Sequence, residues 1–320
     1  MLGAIIGDIV GSRWEFNPTN DYNFEWLSKE NSFTDDTICT VAIADALIHH
    51  RDFGESMHDW CNRYPHPMGG YGGRFAQWVH SNNPQPSNSF GNGAAMRVSP
   101  VAYWYEYIDD VLDAAAATAI PTHNHDEGIK GAQTVALAIF RALQFNKKSY
   151  QSAPMHIDEI LQECVQFSGY DINMPKASVL NRFDETCQGT VPVALKIISM
   201  ATDFVDAVRL AVSLGADADT LGAIVGSMAE AIWGLPSGVM FNVSDMLPEE
   251  MQHVYAEFRH KRPWIIKKLI DTTFYRKEFS EAAWDLLEDG DREELRDIVD
   301  NVKNEKRKLM AERGKARDNW

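Results

Sequence analysis

Apolar residues recur at steps of three and four along most of this chain, which is the period of a helix. The pattern is clear in Leu2 to Val10, in Ile38, Val41, Ala42 and Leu47, and in the alanine-rich stretch from Asp109 to Ile120. It returns in Ala132, Val135, Ala136, Ile139, Phe140 and Leu143 between Gly131 and Leu143, then in Ile157 to Phe167, and again in Leu221, Ile224, Val225, Met228 and Ile232. No run alternates as a half-buried strand would. The expected fold is all-α. Two polar stretches interrupt the helices: residues 62–74, NRYPHPMGGYGGR, whose Gly and Pro content predicts a mobile lid-like loop, and SNNPQPSNSFGNGAAMR.

Beyond about residue 262 the pattern changes. Trp264, Ile265, Leu269 and Ile270 make one apolar face, and Gly290 breaks the chain. Asp291 with Glu294 then reads as a capping box ahead of Leu295, Ile298, Val299 and Val302. The stripe thins into KNEKRKLMAERGKAR. The division is therefore a helical domain over 1–262 and a charged amphipathic helical extension over 263–320. That extension offers a face for docking on the core or for self-association, while residues after about 305 are expected to fray in solvent.

Candidate chemistry lies where polar residues start apolar helices. In Leu214 to Gly226, LGADADTLGAIVG, Asp219 reads as an N-cap, with Thr220 first in the helix and Asp217 two residues upstream. Two carboxylates so close repel unless a cation lies between them. Thr34-Asp35-Asp36-Thr37 repeats the arrangement at the other end of the chain. Two acidic helix starts predict one shared site, and oxygen ligands suit Mg²⁺ or Mn²⁺ rather than zinc.

Other candidates carry two readings each. Asp8, inside an apolar helix, either orients a site residue or helix start or is a satisfied structural Asp. Gly3, Gly7 and Gly11 form a smooth stripe read as helix packing. Glu15 stands between Trp14 and Phe16, which can exclude water and raise its pKa. Tyr71, set among glycines, presents its ring to a nucleobase or packs the loop. Gly91-Asn92-Gly93 reads as a turn or as an anion cradle, and Arg97 pairs with a phosphate or a carboxylate.

Composition narrows the classes. The chain has 320 residues, 45% hydrophobic and 24% charged, enough for one large core, and its net charge of −16 argues against phosphate-backbone binding. Cys39, Cys61, Cys164 and Cys187 form no CxxC pair, and the apolar start is too short and too acidic for a signal peptide or membrane span. A reduced cytoplasmic protein is expected.

Five segments together, GAIIGDIVGSRWEF, FTDDT, FGNGAAMRVSP, THNHDEGIKGAQ and LGADADTLGAIVGSMAEAIWG, resemble the ADP-ribosylglycohydrolase family in its order and span most of residues 1 to about 260. One departure is Ala216, where the family usually has a second glycine. The resemblance implies a compact orthogonal multi-helix bundle and hydrolysis of the glycosidic linkage of an ADP-ribose conjugate, releasing ADP-ribose. It implies two cations, about 3.5 to 4 Å apart as in other two-metal sites, held by Thr34, Asp35, Asp36, Asp217, Asp219 and Thr220. It also places Glu15 beside the metals as acid or base, with a metal-ligated Asp, taken as Asp219, or a metal-bound water as its partner. ADP-ribose would lie against Phe90, Gly91, Asn92, Gly93 and Met96, near His123. The substrate partner is an ADP-ribosylated protein or a small ADP-ribosyl conjugate. A dinuclear-metal phosphohydrolase and a non-catalytic ADP-ribose reader are the alternatives.

Overall fold

The computed structural model describes residues 1–148, 157–236, 245–262, 308, 311–317 and 320. Among the described residues up to 262, thirteen α-helices follow one another in chain order. They are α1 (Leu2–Gly11), α2 (Asp35–His49), α3 (Phe53–Arg63), α4 (Gly73–Val79), α5 (Gly93–Met96), α6 (Ser99–Trp104) and α7 (Ile108–Ala119), followed by α8 (Asp126–Lys148), α9 (Ile157–Ser168), α10 (Cys187–Met200), α11 (Phe204–Val212), α12 (Ala218–Trp233) and α13 (Glu249–Lys261). Among the described residues there is no β-strand, only two isolated bridges, Thr34 with Met68 and Gly91 with Thr186. The all-α expectation holds. None of these helices is long and apolar enough to cross a membrane.

The central pair is α1 and α12. Every residue of α1 is buried, which fits a helix apolar on all sides. The glycine stripe explains how two such helices meet. A Cβ at Gly7 would overlap the Gly222 carbonyl, and one at Gly3 or Gly11 would overlap the carbonyl of Gly226 or Ala218. Their backbones are thus in direct contact, as the packing reading of the stripe requires. At the far end Glu230 of α12 accepts from the Gly3 amide at 2.8 Å, closing one free donor of α1. α2 packs on the pair, with α10 and α11 flanking α12.

Several boundaries move from their expected places. α8 begins at Asp126 rather than near Gly131, because its first turn is polar and carries no apolar period. α12 begins at Ala218, with Asp217 in the cap position and Asp219 in the first turn. Either Asp of an Asp-x-Asp pair can occupy a cap, and pattern alone does not choose. Gly215, at φ +67°, supplies the left-handed turn ahead of the helix, and Ala216 needs no such conformation.

The loop over 64–72 is pinned rather than free: Met68 bridges Thr34, and the Tyr71 hydroxyl donates to the carbonyls of Tyr64 at 2.7 Å and Cys61 at 3.2 Å.

The end of the chain also corrects the expectation of fraying. Residues 311–317 are helical. Arg313 is buried, donating to the Ala201 carbonyl at 2.8 Å. Arg317 meets Asp206 at 3.1 Å and lies over the Tyr22 ring, and the Trp320 indole donates to the Met174 carbonyl at 3.0 Å. These cations find carbonyls, a carboxylate and rings on the core, partners that a periodicity reading does not see. The apolar face from Trp264 to Ile270, the Asp291–Glu294 capping box and the stripe to Val302 lie outside the described residues.

Candidate active site

The two acidic helix starts come together, as their chemistry requires. Thr34 caps α2, its hydroxyl accepting from the Asp36 amide at 3.2 Å. Asp8 of α1 braces that same start. Its Oδ2 accepts from the amides of Thr34 and Thr37, each at 3.1 Å, and from the Thr37 hydroxyl, while Oδ1 accepts from the Thr34 hydroxyl at 2.8 Å. Both readings of Asp8 fit these bonds: the carboxylate orients a helix start and is itself satisfied by four hydrogen bonds. Across the junction, the Thr220 hydroxyl of α12 donates to Asp36 Oδ2 at 3.1 Å.

Carboxylates gather around this junction in two overlapping groups. Asp8, Asp36 and Asp219 offer oxygens within 4.8 Å of one another, and so do Glu15, Asp217 and Asp219. Asp219 belongs to both. Asp35 lines the adjoining cleft without joining either group.

Burial and mutual repulsion oppose ionisation here. Burial pushes the Asp8 carboxyl up to about 6. It carries Asp217 to about 7, with Glu15 and Glu185 adding to the shift and the Asn92 bond opposing it. Glu15 rises to about 8, through burial first and then through Asp219 and Asp8. Asp35, Asp36 and Asp219 are held well above the ordinary carboxylate range, burial again leading.

Among the described residues, Asp36 Oδ1, Asp219 Oδ1 and Glu15 Oε2 are buried without a hydrogen-bond partner. Such atoms are costly unless something positive meets them. The donor set is all oxygen and suits a hard divalent cation.

The cleft beside these groups is about 380 Å³, and Glu15, Asp35, Asp217, Asp219 and Thr220 form its acidic end. Tyr71, Gly91, Asn92, Gly93, Met96 and His123 line it. Phe90 is not among the residues that line it; its ring is 39% exposed and edge-on to His125 at 5.3 Å.

Asn92 differs in what it touches. Its buried amide donates to Asp217 Oδ2 at 2.7 Å and to the Thr190 hydroxyl at 3.1 Å, so it holds a site carboxylate in place. Among the described residues Arg97 pairs with no carboxylate. It is fully buried, and its Nη2 donates to the Thr118 carbonyl at 3.1 Å and the Thr122 hydroxyl at 2.7 Å.

Several neighbours escaped sequence reasoning. Gly69, at φ +77°, sits so close to Glu15 that a Cβ there would strike its carboxylate. Phe75 and Trp78 stack at 5.5 Å and wall the cleft; their i, i+3 spacing after a glycine loop was the available signal. A second cavity of about 480 Å³, lined by Tyr170, Asp184, Thr190 and Leu214 among others, meets the first at Asp217.

Comparison with known proteins identifies the family of this chain. The ADP-ribosylglycohydrolase family profile matches residues 1–271. ADP-ribosylhydrolase ARH3 of Xenopus tropicalis is 29% identical over 174 residues, which is 45% of this chain and 49% of that protein, so this match spans about half the length of that relative. Human ARH3 is 24% identical over 323 residues, covering 79% of this chain and 86% of the relative. ADP-ribosylarginine hydrolase Tri1 of Pseudomonas putida is 24% identical over 294 residues, with 79% and 72% covered. Among solved structures, an ADP-ribosylglycohydrolase-related protein complex superposes with a TM-score of 0.59 at 23% identity, covering 84% of this chain and 95% of that one; at that identity it speaks for the fold. The chain belongs to the ADP-ribosylglycohydrolase family and is a glycosyl-bond hydrolase.

Proposed function

We propose that this chain hydrolyses the glycosidic linkage between ADP-ribose and a protein side chain or small conjugate, releasing ADP-ribose with the aid of two Mg²⁺ or Mn²⁺ ions. The observation that carries the reading is the pair of carboxylate groups sharing Asp219, with three buried carboxylate oxygens that lack a hydrogen-bond partner among the described residues, at the end of a cleft lined by Gly91–Gly93. Thr34, Asp35, Asp36, Asp217, Asp219 and Thr220 are the proposed ligands. Asp8 already accepts four hydrogen bonds and is assigned the bracing role instead. When bound, the cations supply positive charge among these carboxylates and a template for neighbouring ribose hydroxyls.

The chain's own residues do the rest. Glu15, whose carboxyl burial lifts to about 8, exchanges a proton near neutral pH and serves as the acid or base of bond cleavage, with Asp219 as its partner. Asn92 keeps Asp217 turned toward the site. Phe75, Trp78 and Tyr71 give the cleft an aromatic wall that excludes water. The four cysteines are all buried and unpaired, which supports the assignment to a reducing, cytoplasmic compartment.

The test is release of ADP-ribose from an arginine-ADP-ribosylated protein with Mg²⁺ or Mn²⁺, with EDTA, and with Asp219→Asn. Metal-dependent release that the variant loses supports the reading. AMP or inorganic phosphate as product would replace it with a phosphohydrolase, and tight ADP-ribose binding without turnover on arginine, serine or acetyl conjugates would replace it with a binding protein.

A further inference from the structure

Arg97 is a fully buried guanidinium with no carboxylate ion pair among the described residues, and the proposed reaction leaves it without a task. Its Nε and Nη1 have no hydrogen-bond partner among the described residues, and the Phe75 ring centre lies 5.9 Å from its carbon centre. What it does contact is informative. Nη2 donates to the Thr122 hydroxyl at 2.7 Å, and that hydroxyl lies 2.6 Å from His123 Nδ1.

The chemistry of the donors sets the direction of this chain. A guanidinium has five N–H groups and no acceptor, so the Thr122 oxygen must accept from Arg97. The hydroxyl proton then has two destinations, the Ala119 carbonyl at 3.5 Å or His123 Nδ1 at 2.6 Å. The first is at the limit of a hydrogen bond and the second is close to ideal. The proton therefore points at Nδ1, which must be unprotonated to receive it. Burial and the nearby Arg97 charge both hold His123 well below its ordinary pKa, so the ring is neutral and its one proton sits on Nε2.

Nε2 faces the glycines of the Phe90–Gly93 loop. A Cβ at either Gly91 or Gly93 would sit 3.2 Å from it, tighter than side chains normally pack, so these glycines make room for the ring as well as for a ligand. We propose that Arg97, acting through Thr122, holds His123 in the neutral Nε2–H tautomer and so fixes a hydrogen-bond donor at the Gly91–Gly93 floor of the cleft. Arg97 and Thr122 are positioning residues, and His123 is the group that meets the ligand. The ligand atom it selects is an acceptor oxygen, which makes the donor useful only if an oxygen-rich group lies on that floor. That last step rests on the ADP-ribose reading; the tautomer itself does not.

The experiment separates the two. In the ¹⁵N-labelled full-length chain, long-range ¹H–¹⁵N spectra report the tautomer of His123, assigned by its loss in His123→Gln. Wild type is expected to show protonated Nε2 and bare Nδ1, with no titration of the ring between pH 6 and 8. Thr122→Val, which replaces the hydroxyl by a methyl of similar size, is expected to admit the Nδ1–H form, and Thr122→Ser to restore the single tautomer.

ADP-ribose titrated in the presence of Mg²⁺ should bind about tenfold more weakly to the Val variant, the worth of one well-placed hydrogen bond, and normally to the Ser variant. A wild-type Nδ1–H ring, or a tautomer indifferent to Thr122→Val, overturns the proposal. The expected tautomers with no ADP-ribose binding to wild type would leave the relay standing and overturn the ADP-ribose reading instead.

Discussion

At the residue scale, the carboxylates around Asp219 tie stability to pH and metal. Asp8, Asp217 and Glu15 carry folded-state pKa values of about 6, 7 and 8, against roughly 4 for unfolded carboxyls. A raised value means that the fold prefers the protonated form. The contribution is fully present below the unfolded pKa and is lost as pH climbs through the folded values. The metal-free protein should therefore unfold at a lower temperature at pH 8.5 than at pH 5.5. A divalent cation displaces those protons, so its stabilising effect should grow over the same range. Thermal unfolding in EDTA and in excess Mg²⁺ at the two pH values checks both; a melting temperature in EDTA that rises with pH would contradict the clustering. Glu15→Gln should flatten part of the EDTA slope and lower kcat by about 10²- to 10⁴-fold, the usual range for a proton-transfer group, while metal still raises the melting temperature. A variant that keeps wild-type kcat would remove Glu15 from the chemistry.

The element scale concerns α1 and α12, which carry Asp8 and Asp219. Their separation is set by glycines, since any Cβ at Gly7 meets the backbone of Gly222. Gly7→Ala or Gly222→Ala must push the helices apart, an overpacking cost of about 1–3 kcal/mol read from denaturant titration. The same displacement moves Asp219 away from Asp36 and Asp8, so kcat should fall in protein that is still fully folded. Unchanged activity would mean that the site tolerates a wider spacing.

Much of this was legible in the chain. The three-and-four period marks the helices, the glycine stripe marks a close contact, and the two Asp motifs mark a cluster of carboxylates. The partner helix was not legible, because Gly222 and Gly226 read equally well as weak points of α12. Nor was the cap: Asp217 and Asp219 are chemically alike, and only the packed structure shows Asp217 held by Asn92 from the Phe90–Gly93 loop. A loop motif such as Phe90–Gly93 shows which residues lie near a cleft, and not that the Asn92 amide also reaches Asp217.

At the scale of the whole molecule, the extension is linked to the core through polar groups. Arg313 fills a buried position against the Ala201 carbonyl at the end of α10, and Arg317 joins Tyr22 and Thr202 on Asp206, a carboxylate that braces the start of α11. No apolar period announces these contacts, because a guanidinium satisfies a carbonyl wherever the chain brings it, and KNEKRKLMAERGKAR holds five more cations with no such partner apparent from sequence. The two arginines should differ in worth. Arg313→Ala leaves a buried carbonyl unmet and should cost about 1–3 kcal/mol. Arg317 is 35% exposed, and the screened pair it makes should cost at most about 1 kcal/mol when broken. Urea titrations of the two variants give the comparison directly. Equal, negligible losses would mean that the end of the chain adds nothing to the fold. A large loss in Arg313→Ala alone would show that the helical domain relies on its extension, so that a boundary at residue 262 divides the sequence pattern without dividing the folding unit.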